Sequence, residues 1–192
     1  MNFGAYEAGG FYDEMFNGGR GAERSEYSEV KKLFESLTEE DFKNQKNRIN
    51  QTFLEQGITF QIYQEDSSLE RIFPFDPIPR LITKKEWEKI EQGLIQRITA
   101  LNIFLNDVYN EGHIVNDGIL PRETLYSSAN YLENFIGFKP SKNIYIHISG
   151  SDLIRDNDGK FYVLEDNLRC PSGVSYVLEN RSAMKRAYPD LY

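Results

Sequence analysis

A β-hairpin is predicted by one stretch of the sequence, Gly150-Ser-Asp-Leu-Ile-Arg-Asp-Asn-Asp-Gly-Lys-Phe-Tyr-Val-Leu-Glu-Asp-Asn167. The dipeptide Asp158-Gly159 at its centre is typical of a type I′ turn, in which both central residues take a positive φ. If these two residues form the whole loop, Asp152 lies directly opposite Glu165. Asn167 follows Glu165 by two positions and therefore shares its face of the strand.

The polar residues of this hairpin predict a metal site. Two carboxylates that face each other across a sheet repel, and a hard cation between them removes that repulsion. Carboxylate and amide oxygens suit Mg²⁺, which usually also binds phosphate oxygens. Asp152, Glu165 and Asn167 are therefore the expected metal ligands. Asp166 points to the other face of the strand, where we expect a bystander or a supporting group.

The predicted site depends on the length of the loop. A loop one residue longer would pair Asp152 with Leu164 and would turn one carboxylate to the other face. An acidic turn that merely decorates the surface is an alternative explanation of the same residues.

A calcium-binding EF-hand loop is a further alternative, and the sequence disfavours it. Four residues match its pattern, namely Asp156, Asp158, Gly159 and Glu165. The first ligand position would hold Ile154, whose side chain cannot coordinate a metal. The flanking segments also resemble strands, whereas an EF-hand needs helices there.

Composition limits the possible functions. The chain has 192 residues, enough for one domain with a proper core, and 40% of them are hydrophobic. Its net charge of −8 disfavours a nucleic-acid partner, although local lysines and metal ions could still hold ATP. The single cysteine, Cys170, excludes an internal disulfide and suits the reducing cytoplasm, and we expect it to be buried. No apolar run approaches the roughly 18 residues of a membrane span, so no membrane partner is expected.

The pattern along the chain predicts an α+β fold, in which N-terminal helices pack on a mixed or antiparallel sheet. Residues 1–24 form a glycine- and aromatic-rich N-terminal arm, and residues 25–192 form the body. We expect the segment from Phe11 to Phe16 to dock on the body. Helices are predicted over residues 25–37, 38–56 and 84–110, and strands over residues 58–63, 69–75 and 143–149. The two longer helices have cap-like starts at Thr38 and Thr83.

Two further segments carry candidate binding residues. The turn Pro171-Ser172-Gly173 could cradle an anionic oxygen with its backbone amides, or could simply precede the next helix. Arg169 could contact a phosphate or carboxylate through two hydrogen bonds. Prolines stiffen the segment from Arg71 to Arg80, which either holds Asp76 and Arg80 in fixed positions or acts only as a connector.

Five strings of the sequence are specific enough to indicate a family. They are Phe53-Leu-Glu-Gln-Gly-Ile-Thr-Phe60, Glu70-Arg-Ile-Phe-Pro-Phe-Asp76, Ile78-Pro-Arg80, Val163-Leu-Glu-Asp-Asn-Leu-Arg169 and Pro171-Ser-Gly-Val-Ser-Tyr-Val-Leu-Glu-Asn-Arg181. Through these strings the chain resembles the circularly permuted ATP-grasp type 2 family, which is related to glutathionylspermidine-synthase-like ligases. The resemblance extends from about Phe11 to Pro189.

The resemblance implies an ATP-dependent ligase that joins a small-molecule or peptide carboxylate to an amine through an acyl phosphate. It assigns Mg²⁺ ions, held on the ATP phosphates, to Asp152, Glu165 and Asn167. It also implies that Arg169 and Ser172 lie near the acyl phosphate as catalytic residues. Arg80 and Arg169 are the implied contacts to anionic groups of the cofactor or the substrate.

Members of this family are longer than this chain, so the resemblance implies an N-terminal portion of a ligase. The lobe that covers ATP, with its lysines, is then expected after residue 192. On this reading the chain is inactive alone, either as a truncated ligase or as a half-domain. A half-domain would act as a non-catalytic interaction module or complement a separately encoded second chain. A two-carboxylate glycosidase is disfavoured, because directly opposed carboxylates are too close to flank a sugar.

Overall fold

The structure is a computed structural model that describes residues 2–17, 22–64 and 67–192. Gly18, Gly19 and Gly21 of the expected arm lie outside the described residues. The α-helices are α1 (Ser28–Ser36), α2 (Glu39–Glu55), α3 (Lys84–Tyr109), α4 (His113–Asn116), α5 (Arg122–Tyr126) and α6 (Val174–Ala187). The strands are β1 (Thr59–Gln64), β2 (Ser67–Ile72), β3 (Gly150–Arg155) and β4 (Phe161–Asn167).

The predicted α+β class is confirmed, and the strands pair in two antiparallel two-stranded sheets, β1 with β2 and β3 with β4. In the first sheet Thr59 pairs with Ile72. The strand that was predicted to run to Phe75 ends at Ile72. Pro74 follows shortly after, and proline cannot donate a backbone hydrogen bond to a neighbouring strand.

The prediction of a strand over residues 143–149 is wrong, because two backbone amides of this segment bond to a side chain of α3. A 3-10 turn covers Ser141–Asn143, and β3 begins only at Gly150. The backbone amides of Tyr145 and Ile146 donate to the side-chain oxygen of Asn102 on α3, at 2.8 and 3.2 Å. These amides are therefore satisfied without a neighbouring strand.

The chain divides into two compact units. The first contains Met1–Thr83, Arg155–Tyr162 and Ser172–Tyr192, and the second contains Lys84–Ile154 and Val163–Pro171. The β3–β4 hairpin runs through both units, with its turn in the first and its open end in the second.

The first unit has an aromatic core contributed mainly by helices. Tyr27, Phe34 and Phe53 are its most deeply buried large side chains. The ring of Phe34 packs against those of Phe42 and Tyr188, with centroids 6.0 and 5.3 Å apart. Helix α2 starts as predicted, since Thr38 and Asp41 form a reciprocal capping box that satisfies two backbone amides.

The N-terminal segment docks on the core of the first unit through Met15 and Phe16, whereas Phe11, at the start of the predicted docking segment, is 77% exposed. Phe16 is buried and packs against the ring of Tyr6 at 5.4 Å. The guanidinium of Arg155 lies between the rings of Tyr12 and Phe161, 5.1 and 4.1 Å from their centroids. The segment is thereby attached to the turn end of the β3–β4 hairpin.

The second unit is organised around α3, whose predicted bounds are confirmed to within a residue. Ile90 and Val108 are buried apolar residues of this helix, whereas Trp87 at its start is 48% exposed. Near its end, the ring of Tyr109 stacks on that of Tyr131 at 5.3 Å. In the described part of the chain, no helix is long and apolar enough to cross a membrane.

Candidate metal centre

The turn of the hairpin differs from the prediction. The carbonyl of Asp156 accepts from the amide of Gly159 at 2.8 Å, and the amide of Asp156 donates to the carbonyl of Lys160 at 3.0 Å. The loop therefore has three residues, 157–159. Gly159 has a φ of 76°, but Asp158 does not have a positive φ, so the predicted type I′ turn is wrong. This pattern is the three-residue hairpin loop with a glycine bulge.

The longer loop alone would separate the two carboxylates. Pairing Asp156 with Lys160 and counting along both strands sets Asp152 against Leu164. Glu165 would then point to the opposite face from Asp152. The structure nevertheless brings the carboxyl groups of Asp152 and Glu165 into hydrogen-bonding contact.

A second irregularity, within β4, restores the pairing. Phe161 and Val163 are half-buried, Leu164 and Glu165 are both exposed, and Asp166 is again half-buried. Two successive exposed residues interrupt the strict alternation of a strand. Together with the contacts of Glu165 with Asp152 and of Asp166 with Ser151, this break leads us to infer a β-bulge, in which Leu164 and Glu165 oppose one residue of β3. The bulge reverses the effect of the longer loop, so the predicted ligands share one exposed face.

The candidate metal centre consists of Asp152, Glu165 and Asn167. The side-chain amide of Asn167 donates to a carboxylate oxygen of Glu165 at 3.1 Å. The hydrogen bond between the carboxyl groups of Asp152 and Glu165 raises the pKa of Asp152, and desolvation and charge repulsion act in the same direction. Asp152 thus retains its proton more strongly than an isolated carboxylate would, and a bound cation would oppose this effect.

The donor set suits a hard cation that has ligands from elsewhere. In the described residues no group of three or more His, Cys, Asp or Glu side chains could hold a metal by itself. Two carboxylates and one amide oxygen leave most positions of an octahedral Mg²⁺ ion to water or phosphate oxygens, as Mg²⁺ prefers. The residues present therefore fit a shared magnesium site.

Asp166 points to the opposite face, as predicted, and has two partners there. Its carboxylate accepts from the hydroxyl of Ser151 at 2.7 Å and from Nε of Arg97 at 2.5 Å. Burial alone would raise the pKa of Asp166, but the hydrogen bonds from Ser151 and Arg97 outweigh burial and lower it. Neither partner could be predicted from the local sequence. Arg97 lies 69 positions before Asp166 on the polar side of α3, where periodicity indicates only solvent exposure.

The remaining candidate residues are exposed. Arg169 belongs to the second unit, as the metal ligands do, whereas Arg80 and Ser172 belong to the first. The carbonyl of Ser172 accepts from the hydroxyl of Ser175 at 3.4 Å, and α6 begins two residues after Ser172. The turn before a helix is thus confirmed, and its role as an anion cradle stays a prediction.

The segment after β4 folds back against the start of β3. A Cβ atom added to Gly150 would lie 2.6 Å from Cβ of Pro171, so only glycine permits this approach. Cys170, beside this contact, is exposed, and the expectation that it is buried was wrong. The close contact attaches the Arg169–Pro171 segment to the end of the hairpin that carries the metal ligands.

Comparison with known proteins identifies the family. The family model described as "Circularly permuted ATP-grasp type 2" matches residues 79–192, which include both strands of the candidate metal centre. The chain belongs to the circularly permuted ATP-grasp type 2 family. The resemblance drawn from the sequence strings is therefore confirmed.

Similar proteins occur in several bacteria. An uncharacterized protein of Synechocystis is 44% identical over 192 residues, which are all of this chain and 40% of that protein. An uncharacterized protein of Mycobacterium tuberculosis is 40% identical over 99% of this chain and 34% of its own length. A Frankia alni protein, provisionally named a glutamate–cysteine ligase, is 36% identical over 94% of this chain and 20% of its own length. This ATP-grasp chain thus spans well under half of each relative.

Proposed function

We propose that this chain provides the magnesium-binding part of an ATP-dependent carboxylate–amine ligase. The observation that supports the proposal is the convergence of Asp152, Glu165 and Asn167 on one exposed face of a hairpin inside the matched region. The bulge in β4 offsets the longer loop, and the contacts of Asp166 on the opposite face accompany that pairing. A merely decorative acidic turn would need none of them.

Each ligand has a defined task in this proposal. Asp152 and Glu165 bind the cation through carboxylate oxygens, and the cation favours the ionised form of Asp152. Asn167 contributes a neutral oxygen, for which its side-chain amide must turn its nitrogen away from Glu165. When bound, Mg²⁺ would neutralise phosphate charge and orient ATP for in-line transfer.

The finer features of the reaction are part of the same proposal. Family membership and the name of the Frankia protein support a ligase that activates a carboxylic acid. We propose an acyl phosphate as the intermediate and an amine as its acceptor, with Arg169 and Ser172 near the acyl phosphate. Arg80 is proposed to contact an anionic group of the cofactor or the substrate. A carboxylate substrate and an amine are thus the proposed small-molecule partners.

The test is titration of the isotope-labelled chain with Mn²⁺, with and without a non-hydrolysable ATP analogue, followed by backbone NMR. Paramagnetic Mn²⁺ should broaden the amide signals of residues 152, 165 and 167 first. D152N and E165Q should each raise, at least 10-fold, the Mn²⁺ concentration that is needed for the same broadening. The matched control is D158N, which removes a carboxylate of the same hairpin that already pairs with Lys160 at 2.7 Å. Equal broadening in D152N, E165Q and D158N would contradict the proposal.

A second candidate function is a half-domain that assembles with another chain. It is favoured by three aliphatic residues on one face of α6, Val174, Val177 and Leu178, which are 63, 65 and 59% exposed. Co-expression with the product of the downstream reading frame tests it. Co-purification that is lost in V177K/L178K but kept in a K185A control would support it. A downstream product that never co-purifies would count against it.

A further inference from the structure

Strand β4 contains two phases of alternation that conflict. Between Phe161 and Val163 the odd-numbered residues face inward, whereas beyond the bulge Asp166 faces inward. A regular strand would continue the first phase and turn Glu165 and Asn167 inward. The metal ligands therefore lie outward only because the phase changes at Leu164 and Glu165.

This change of phase requires a compensating interaction. A bulge leaves one residue of the strand outside the ladder and bends the chain. The regular register would avoid that cost and would set Asp152 against Leu164 alone. Since neither the loop nor the apolar residues of β4 favour the bulged register, another contact must select it.

The contacts of Asp166 provide this selection. Its side chain is only 7% exposed and receives hydrogen bonds from Ser151 on β3 and Arg97 on α3. The contact with Ser151 fixes the pairing of the two strands at the residues next to Asp152 and Glu165. A carboxylate with a charged and a neutral donor is strongly held, whereas the same group without them would be costly to bury.

In the regular register both contacts disappear together. Asp166 would face outward, away from Ser151 and Arg97, and the inward position would go to Glu165. The stabilisation by the hydrogen bonds of Asp166 thus exists in the bulged register and not in the regular one. A contact that selects one register over another must have this property. The pair of Asp166 with Arg97 joins residues of one unit only, so the selection is local to the hairpin and α3.

We propose that Arg97, Asp166 and Ser151 form a register lock that holds β4 in the bulged pairing with Glu165 opposite Asp152. The three are positioning residues, because none of them lies on the ligand face. The lock itself follows from the geometry of the hairpin, and its consequence for metal binding rests on the proposed function.

The register can be measured without any ligand, through cross-strand backbone NOEs in the labelled full chain. The wild type should show an NOE between residues 151 and 166, the first pair beyond the bulge. R97M, which removes the charged donor, should lose it and gain an NOE between residues 151 and 165. R97K retains a donor and should restore the wild-type pattern. K89M, at an exposed position of the same helix, is the matched control and should leave the pattern unchanged.

The outcomes separate the lock from a merely structural salt bridge. A folded R97M that keeps only the contact between residues 151 and 166 would overturn the proposal. If R97M does not fold, S151A replaces it, since it removes one neutral hydrogen bond only. S151A should then show both NOE patterns in exchange, and a single wild-type pattern in S151A would overturn the lock.

Addition of Mn²⁺ distinguishes this inference from the proposed function. If the register changes in R97M but Mn²⁺ broadens no hairpin signals in the wild type, the lock stands and the metal site fails. If Mn²⁺ broadens the wild-type signals at 152, 165 and 167 but R97M keeps the same register, the metal site stands and the lock fails. When both hold, R97M should need at least 10-fold more Mn²⁺ than K89M for equal broadening.

Discussion

Replacing Arg155 by methionine should destabilise the first unit by about 3 kcal/mol. The guanidinium is 7% exposed and donates to the hydroxyl of Tyr12 at 3.0 Å, and its Nε lies 3.3 Å from a carboxylate oxygen of Glu14. It also lies over the rings of Tyr12 and Phe161. Methionine fills much of the same volume but provides none of the polar contacts.

The magnitude follows from these contacts. Two partly desolvated cation–π contacts contribute about 1 kcal/mol each, and a hydrogen bond from a charged donor contributes about 1.5–3 kcal/mol. The new apolar contacts of methionine recover part of this sum. Glu14 is 27% exposed, so its loss of a partner adds little. A loss of about 3 kcal/mol corresponds to a melting temperature roughly 6–12 °C lower for a chain of this size.

The assay is urea unfolding followed by far-ultraviolet circular dichroism, since α1, α2 and α6 all belong to the first unit. R155K is the matched control, because it keeps the charge over the rings but lacks the planar fork of donors. It should lose about half as much stability as R155M. A change of less than about 0.5 kcal/mol in R155M would refute the reasoning, because it would mean that the stacked guanidinium contributes no net stability.

Two further predictions concern the turn of the hairpin and the end of α3. Gly159→Ala should cost about 2–3 kcal/mol in urea unfolding, because φ is 76° and the new Cβ would lie 2.7 Å from Cε2 of Tyr12. The control is Gly118→Ala, where φ is 72° and no atom lies within 4 Å of the new Cβ, and it should cost only about 1 kcal/mol. Equal losses of stability in the two variants would mean that the contact with Tyr12 adds no steric cost at Gly159. Asp107 hydrogen-bonds His113 at 2.8 Å and raises its pKa, so this stabilisation is fully present below the ordinary pKa of 6.5 and is lost as pH rises through the folded-state value. In H113N the free energy of unfolding, measured across this pH range, should no longer show the decrease that comes from His113. A pH profile identical to that of the wild type would contradict the role of the Asp107–His113 pair.

Local sequence patterns were sufficient for several elements. The capping box at Thr38 and the apolar spacing along α3 predicted helices that the structure confirms. Both signals come from residues three or four positions apart, which are neighbours within the helix itself. The α+β class and the family could also be inferred from the sequence, because they depend on the order of elements and on long contiguous strings.

Local patterns failed where a distant side chain replaced the expected partner. Residues 143–149 have the alternation of a strand, but Asn102 on α3 accepts from the amides of Tyr145 and Ile146 in place of a strand partner. Cys170 was expected to be buried because of its residue type, yet it lies exposed beside the close contact of Gly150 with Pro171. In each case the deciding neighbour is far away in sequence and leaves no periodic signal.

The candidate metal centre shows most clearly which features follow from the sequence and which follow from the tertiary structure. The sequence by itself determined the residue types, their order and the hairpin that contains them. It did not determine the register, since the three-residue loop and the bulge at Leu164 and Glu165 shift the pairing in opposite directions and cancel. Only the tertiary structure decided which face carries Glu165 and Asn167. The physical reason is that Asp166 can keep its charge at a nearly buried position only when Ser151 and Arg97 are there to donate to it.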